Sequence, residues 1–83
     1  MDRAEIFAAV TRLAVDVLGV EPEAVVEQAR FKEDLDADSL DLVELVMALE
    51  ERLDVTVPEE ELEGIETVGD AVSLLASKLK INA

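Results

Sequence analysis

The chain has 83 residues, of which 21 are acidic and 7 are basic, so its net charge is −14 at neutral pH. That length suits one domain with a single modest core, and we expect residues 1–83 to form it. A chain this acidic repels the phosphates of nucleic acids. We therefore expect basic protein surfaces as its partners, no nucleic acid, and a monomer.

The residue types that are missing exclude several kinds of chemistry. The chain has no Cys and no His, which excludes disulfides, the usual zinc sites and a His general base. No apolar run approaches the roughly 18 residues that span a membrane, and the charged start of the chain is unlike a signal peptide. We therefore expect a cytoplasmic protein with no membrane span.

The first helix is predicted over residues 3–18. Asp2 and Glu5 have the spacing of a reciprocal capping pair, and Gly19 is a favourable stop. Between them, apolar residues recur at helical spacing. These are Ile6, Val10, Leu13, Ala14 and Val17.

A long connection, residues 19–38, is predicted to follow. Pro22 can open one short turn that runs to Val26. A loop this long in so small a domain is either functional or held down by apolar contacts. The predicted contacts are Val20, Val25, Val26, Phe31 and Leu35. The two aromatic residues, Phe7 and Phe31, are predicted to be core anchors.

The second predicted helix, residues 39–53, has two apolar sides. One is the predicted core stripe, formed by Leu42, Leu45, Val46, Leu49 and Leu53. The other contains Ser39, Leu40, Val43 and Met47, with Glu44, Glu50 and Glu51 at its rim. A surface helix needs only one apolar stripe, so the second indicates a docking face for a partner. Asp38 or Ser39 is the predicted N-cap, and Asp41 lies in the first turn.

The rest of the chain predicts one short and one longer helix. Residues 54–58 are predicted to be extended but not paired with another strand. A short helix is predicted from Pro58 to Glu63, and Ile65 after it is predicted to lie in the core. Thr67 and Asp70 form a second capping pair before a helix that ends near Lys78 or Lys80, and residues 81–83 form a tail. The stripe of this last helix is Val68, Val72, Leu75 and Leu79. The predicted fold is all-α: a four-helix bundle of three main helices plus one short helix, with a long first loop.

Acidic residues concentrate around Ser39. Residues 33–66 contain 14 of the 21 carboxylates and a single base, Arg52. Asp34, Asp36 and Asp38 match the first three ligands of a calcium-binding EF-hand, but Ser39 stands where that loop needs Gly and Leu45 where it needs Glu. We therefore predict no metal site.

Ser39 is the candidate for chemistry, although nothing in the sequence activates it as a nucleophile. The chain is too short to enclose a deep substrate pocket and has no base next to the serine, so we predict no catalytic residue and no enzyme. Ser39 is then either a simple capping residue or the acceptor of a covalent modification that another protein performs.

The segment around this serine resembles a known family. Asp38-Ser39-Leu40-Asp41, within the acidic stretch 33–51, is similar to the attachment site and following helix of acyl carrier proteins, most closely those of dissociated (type II) fatty acid synthases. The entry to the short helix at Val57-Pro58 and the entry to the last helix at residues 65–68 are similar as well. The resemblance covers nearly the whole chain.

The resemblance implies a function and a cofactor. A phosphopantetheinyl transferase, using Mg²⁺ and coenzyme A, would attach phosphopantetheine to Ser39 through a phosphodiester. The thiol of this arm would hold growing acyl chains as thioesters and present them to fatty acid biosynthesis enzymes with basic docking patches. The bundle would part to admit an acyl chain. The implied docking residues are Asp38, Leu40, Asp41, Val43, Glu44, Met47 and Glu51.

Two alternatives stay open at this point. One is a carrier of a polyketide or other specialised pathway. The acidic run at residues 47–51 favours the fatty acid type over this alternative. The other is an unmodified interaction domain with an acidic helix.

Peptidyl carriers usually have other residues just before the serine than the Asp36-Ala37-Asp38 found here. Asp36 itself stands where the family usually has Gly, and Asp tolerates a left-handed backbone better than most residues.

Overall fold

The computed structural model of the protein describes residues 2–79. It contains four α-helices: α1 (Arg3–Leu18), α2 (Ser39–Leu53), α3 (Glu59–Leu62) and α4 (Val68–Lys78). A 3₁₀ turn, Pro22–Ala24, lies in the long connection between α1 and α2. The predicted all-α bundle of three main helices and one short helix is confirmed. The predicted tail, residues 81–83, and a possible helix end at Lys80 lie outside the described residues.

Local capping sets where each main helix begins. At α1, the backbone N–H of Glu5 donates to Asp2 Oδ1 over 2.9 Å, and the Glu5 side chain accepts from the Asp2 backbone. Thr67 and Asp70 make the same reciprocal pair at α4. Because these contacts span only three residues, both pairs could be predicted from sequence spacing. Gly19 ends α1 in the left-handed conformation, with φ of 71°, as predicted.

The core lies between α1, α2 and α4, since α1 packs against both of the other helices. The predicted stripe of α2 is confirmed, because Leu42, Leu45, Val46, Leu49 and Leu53 are all buried. In α1 the buried residues are Ile6, Ala9, Val10 and Ala14, whereas Leu13 and Val17 are half-buried. In α4 they are Val68, Ala71, Val72 and Leu75, with Leu79 partly buried at the end.

The long first connection is fixed by apolar contacts, as predicted for most of the residues named. Val25, Phe31 and Leu35 are buried, and Val20 packs against the core at its edge. The prediction for Val26 is wrong, because 46% of its surface is exposed. Val25 leaves the 3₁₀ turn with an extended backbone, in which neighbouring side chains point to opposite sides, so only one of the two valines faces the core.

The two aromatic residues differ in burial. Phe31 is only 1% exposed and anchors the core, as predicted. Phe7 is half-buried and packs against the core from its edge, so its predicted role as a core anchor holds only in part. Phe7 comes one residue after the buried Ile6 on α1, about 100° further around the helix, and this turns it away from the centre.

Backbone hydrogen bonds join the long connection to the start of α4. The N–H of Phe31 donates to the carbonyl of Glu66 over 3.0 Å, and the N–H of Val68 donates to the carbonyl of Ala29 over 2.9 Å. Together they form an isolated antiparallel bridge between Arg30 and Thr67. The segment that leads to Ser39 is therefore bonded to α4 as well as packed on the core.

The segment from α2 to α4 follows the prediction with one shift. Residues 54–58 form no strand, Val57 is buried, and Ile65 reaches the core with 8% of its surface exposed. Pro58 was predicted as the first helical residue, but its ψ of 151° is extended, so Pro58 is the N-cap and the helix begins at Glu59. The short helix therefore covers Glu59–Leu62 rather than 58–63.

Candidate functional site

Ser39 is the first residue of α2, and its neighbour Asp38 caps the helix. The backbone N–H of Asp41 donates to Asp38 Oδ1 over 2.8 Å, and the N–H of Asp38 donates to Asp41 Oδ2 over 3.3 Å. This decides between the two predicted N-caps in favour of Asp38. The side chain of Ser39 is exposed and has no part in the cap. Its hydroxyl is therefore available for chemistry without loss of the helix start.

The loop before Ser39 has a defined backbone. Asp36 is left-handed, with φ of 55°, which agrees with the expectation that Asp can replace the usual Gly there. The N–H of Ala37 donates to the carbonyl of Phe31 over 2.7 Å. Leu35 and Ala37 are buried on either side of the exposed Asp36. These contacts fix the position from which α2 begins.

Two of the three aspartates of the rejected calcium site accept hydrogen bonds within the protein. Asp34 Oδ2 accepts the N–H of Arg30 over 2.8 Å, and Asp38 is the helix cap described above. Within residues 2–79, no three acidic side chains lie close enough together to hold a metal ion.

The second apolar side of α2 is exposed. Leu40 and Met47 leave 65% and 59% of their surfaces uncovered, which is unusual for large apolar residues. Val43 between them is half-buried. Asp38, Glu44 and Glu51 are exposed around this patch, and Asp41 is half-exposed. The seven residues named as docking residues thus form an accessible surface with an apolar centre and acidic neighbours.

Glu50 does not belong to the rim of this surface, contrary to prediction. Its Oε2 accepts the backbone N–H of Val57 over 2.9 Å, and its carbonyl accepts the N–H of Val55 over 3.1 Å. The reason is that Asp54 ends α2 in the left-handed conformation, with φ of 55°, and this reverses the chain beside Glu50. The carboxylate is therefore part of the connection between α2 and α3.

A groove of about 440 Å³ lies next to Ser39, between the long loop, the start of α2 and α3. Sequence reasoning did not find it, because its walls come from three separate segments. Its lining residues are Lys32, Ser39, Leu42, Val43, Glu59, Leu62, Glu63 and Ile65. Four of these are apolar and the two acids lie toward α3, which leaves Lys32 as the one basic group of the lining.

Comparison with known proteins identifies the class. The profile of the family described as "Phosphopantetheine attachment site" matches residues 8–75. Among solved structures, the acyl carrier protein of Enterococcus faecalis is 35% identical with a TM-score of 0.78, over 94% of this chain and 99% of that one. The acyl carrier protein of Thermotoga maritima is 32% identical with a TM-score of 0.84, over 96% and 93% of the two chains.

The chain belongs to the phosphopantetheine attachment site family, and within that family to the acyl carrier proteins. It is a carrier and not an enzyme, its cofactor is phosphopantetheine, and its partners are acyl chains and the synthase enzymes that act on them. The described residues fit the cofactor, because an exposed serine begins α2 beside a groove with four apolar lining residues. Of the described helices, none is long and apolar enough to cross a membrane.

Proposed function

We propose that Ser39 is the residue that carries phosphopantetheine. The observation that supports this is the division of roles at the start of α2, where Asp38 caps the helix and leaves the exposed Ser39 hydroxyl uncommitted. The match to the attachment-site family spans this position. The other serines fit the role less well, because Ser73 and Ser77 lie within α4 rather than at a helix start.

The surroundings of Ser39 suit a negatively charged linkage in spite of the nearby acids. The first turn of α2 presents backbone N–H groups and the positive end of the helix dipole at this residue. Lys32, which lines the same groove, adds the only positive charge of the lining. When bound, the phosphopantetheine arm supplies the thiol that this chain lacks, and acyl chains are held there as thioesters. Leu42, Val43 and Leu62 offer an apolar wall for such a chain.

The exposed side of α2 is proposed as the docking face for partner enzymes. It comprises Asp38, Leu40, Asp41, Val43, Glu44, Met47 and Glu51. Acidic residues around an apolar centre suit a partner with a basic patch, because opposite charges speed encounter and the apolar contacts then hold the complex. A phosphopantetheinyl transferase is the first partner that this face would meet, since it must act on Ser39 itself.

We assign the protein to fatty acid synthesis with a dissociated synthase. The support is the resemblance of the acidic run at residues 47–51 to carriers of that type. A polyketide or other specialised pathway is the alternative. In this proposal the chain acts in the cytoplasm as one carrier domain and as a monomer, since a net charge of −14 opposes self-association.

Reconstitution tests the pathway. The protein, converted with coenzyme A and a transferase, is supplied to purified enzymes of a dissociated fatty acid synthase and, separately, to a polyketide ketosynthase with its acyltransferase. We expect repeated elongation and full reduction of the chain by the first set at the higher rate. Elongation by the polyketide enzymes alone would assign the protein to the specialised pathway. The Ser39→Ala variant, which should accept no arm, is the control for both.

A further inference from the structure

The short helix α3 is the most weakly held helix of the described chain. It has four residues, no side-chain cap at its start and no buried residue. Three of its residues are consecutive glutamates, Glu59–Glu61, which place three like charges within one helical turn. The segments on either side are better fixed, because Val57 and Ile65 are buried. The position of α3 must therefore depend on few contacts.

One of these contacts is an ion pair that joins α3 to α4. Lys78 Nζ lies 2.7 Å from Glu61 Oε1, with the two side chains only 29% and 34% exposed. The other ion pairs within residues 2–79 are more exposed, at 38% and 50% for Arg3–Glu27 and 64% and 63% for Arg30–Glu33. The Lys78–Glu61 pair is thus the least screened of the three, and it is the pair that involves α3.

The two sides of α3 face different clefts. Leu62 and Glu63 line the groove beside Ser39, whereas Glu60 and Glu61 line a second cleft of about 330 Å³ toward α4. Ile65 lines both. The helix therefore separates two open clefts, and Glu61 of the ion pair lines the one toward α4. Outward movement of α3 would uncover Ile65 and remove Leu62 from the wall beside Ser39.

We propose that the Lys78–Glu61 ion pair is a latch that positions α3, and that through α3 it determines how well an acyl chain carried on Ser39 is shielded from solvent. Lys78 and Glu61 are positioning residues, since neither lines the groove at Ser39. The second half of the inference rests on the function proposed above. Because a longer chain extends further along the wall that Leu62 and Ile65 provide, the effect of the latch increases with chain length.

Hydrogen exchange on the unmodified protein tests the latch itself. In Lys78→Gln and Glu61→Gln, we expect the amides of residues 59–65 to exchange roughly two- to fivefold faster, as for the loss of a partly screened ion pair. Arg3→Gln is the matched control, because it removes the Arg3–Glu27 pair and the hydrogen bond to Ser73 Oγ of α4, neither of which involves a residue of α3. The charge swap, Glu61→Lys with Lys78→Glu, should restore slow exchange. Unchanged exchange in both single variants would overturn the latch.

Cleavage of loaded thioesters tests the shielding. Acetyl and octanoyl forms of each variant are treated with hydroxylamine. Loss of the latch should accelerate cleavage of the octanoyl form and leave that of the acetyl form unchanged, with Arg3→Gln like the wild type for both. Equal acceleration of both chains, or of neither, would overturn the shielding. If Ser39 accepts no arm at all, the proposed function fails, and the exchange experiment still decides whether the latch exists.

Discussion

Truncating two leucines of α2 to alanine should give opposite results, because they lie on opposite sides of the same helix. Leu49 is 1% exposed and belongs to the core, whereas Leu40 is 65% exposed. The chemical change is identical, and Ala and Leu both favour helix. Any difference between Leu49→Ala and Leu40→Ala therefore reports the surroundings of the side chain.

The expected magnitudes follow from burial. A fully buried leucine such as Leu49 loses its transfer free energy and leaves a cavity, which costs about 2.7–5 kcal/mol. In a chain of this size each kcal/mol lowers the Tm by about 4–8 °C, so Leu49→Ala should lower it by at least about 10 °C. Leu40 has about a third of its surface covered and leaves no enclosed cavity, so its truncation should cost about 0.5 kcal/mol or less.

Two assays separate the roles. Thermal and urea unfolding followed by circular dichroism gives the stability of both variants, and the rate of modification by a phosphopantetheinyl transferase gives docking. Leu40→Ala should slow modification at nearly unchanged Tm, whereas Leu49→Ala should lower the Tm. If Leu40→Ala lowered the Tm as much as Leu49→Ala, the second apolar side of α2 would be buried in solution, and the proposed docking face would be wrong.

Further predictions concern charge. Glu51→Lys should slow docking to basic partners, with a smaller effect at high salt and a nearly unchanged Tm. Glu50→Ala should instead lower the Tm, because it removes the acceptor of the Val57 N–H. Equal docking kinetics of Glu51→Lys and wild type would contradict the role of Glu51 in docking. Backbone N–H groups of Thr67, then Glu66, lower the pKa of Asp70 from its ordinary 3.8. A carboxylate whose pKa is lower in the folded protein than in the unfolded chain stabilises the fold above the unfolded pKa, and this contribution is lost as the pH falls through the folded pKa. The free energy of unfolding of wild type, measured with urea at low protein concentration, should therefore exceed that of Asp70→Asn by less below about pH 4. Salt and millimolar Mg²⁺ should raise the Tm, because 14 of the carboxylates lie in residues 33–66 with a single base; a Tm that stays flat or falls would refute net repulsion.

Sequence reasoning succeeded where the cause of a structure is local. The pairs Asp2/Glu5 and Thr67/Asp70 satisfy backbone groups three residues away, so spacing alone located both helix starts. The core stripe of α2 likewise followed from helical periodicity. At Ser39 the same local rules left two caps open, and only the hydrogen bond from the Asp41 N–H to Asp38 in the folded structure decided between them.

Features that depend on tertiary contacts could not be predicted in the same way. The bond from the Val57 N–H to Glu50 requires the chain reversal at Asp54, and periodicity placed Glu50 on the docking side instead. The groove beside Ser39 and the Lys78–Glu61 pair join segments far apart in sequence. No spacing rule connects such positions, because the path of the long loop and the placement of α3 are set by packing.

Intact mass after treatment with coenzyme A and a broad-specificity phosphopantetheinyl transferase is the most direct test of the central claim that Ser39 carries the cofactor. The wild-type protein should gain the mass of one phosphopantetheine. Ser39→Ala should gain none while keeping the circular dichroism spectrum and Tm of the wild type, since Asp38 still caps α2. Ser73→Ala and Ser77→Ala should be modified like the wild type. Modification of Ser39→Ala, or a wild-type protein that gains no mass, would contradict the account.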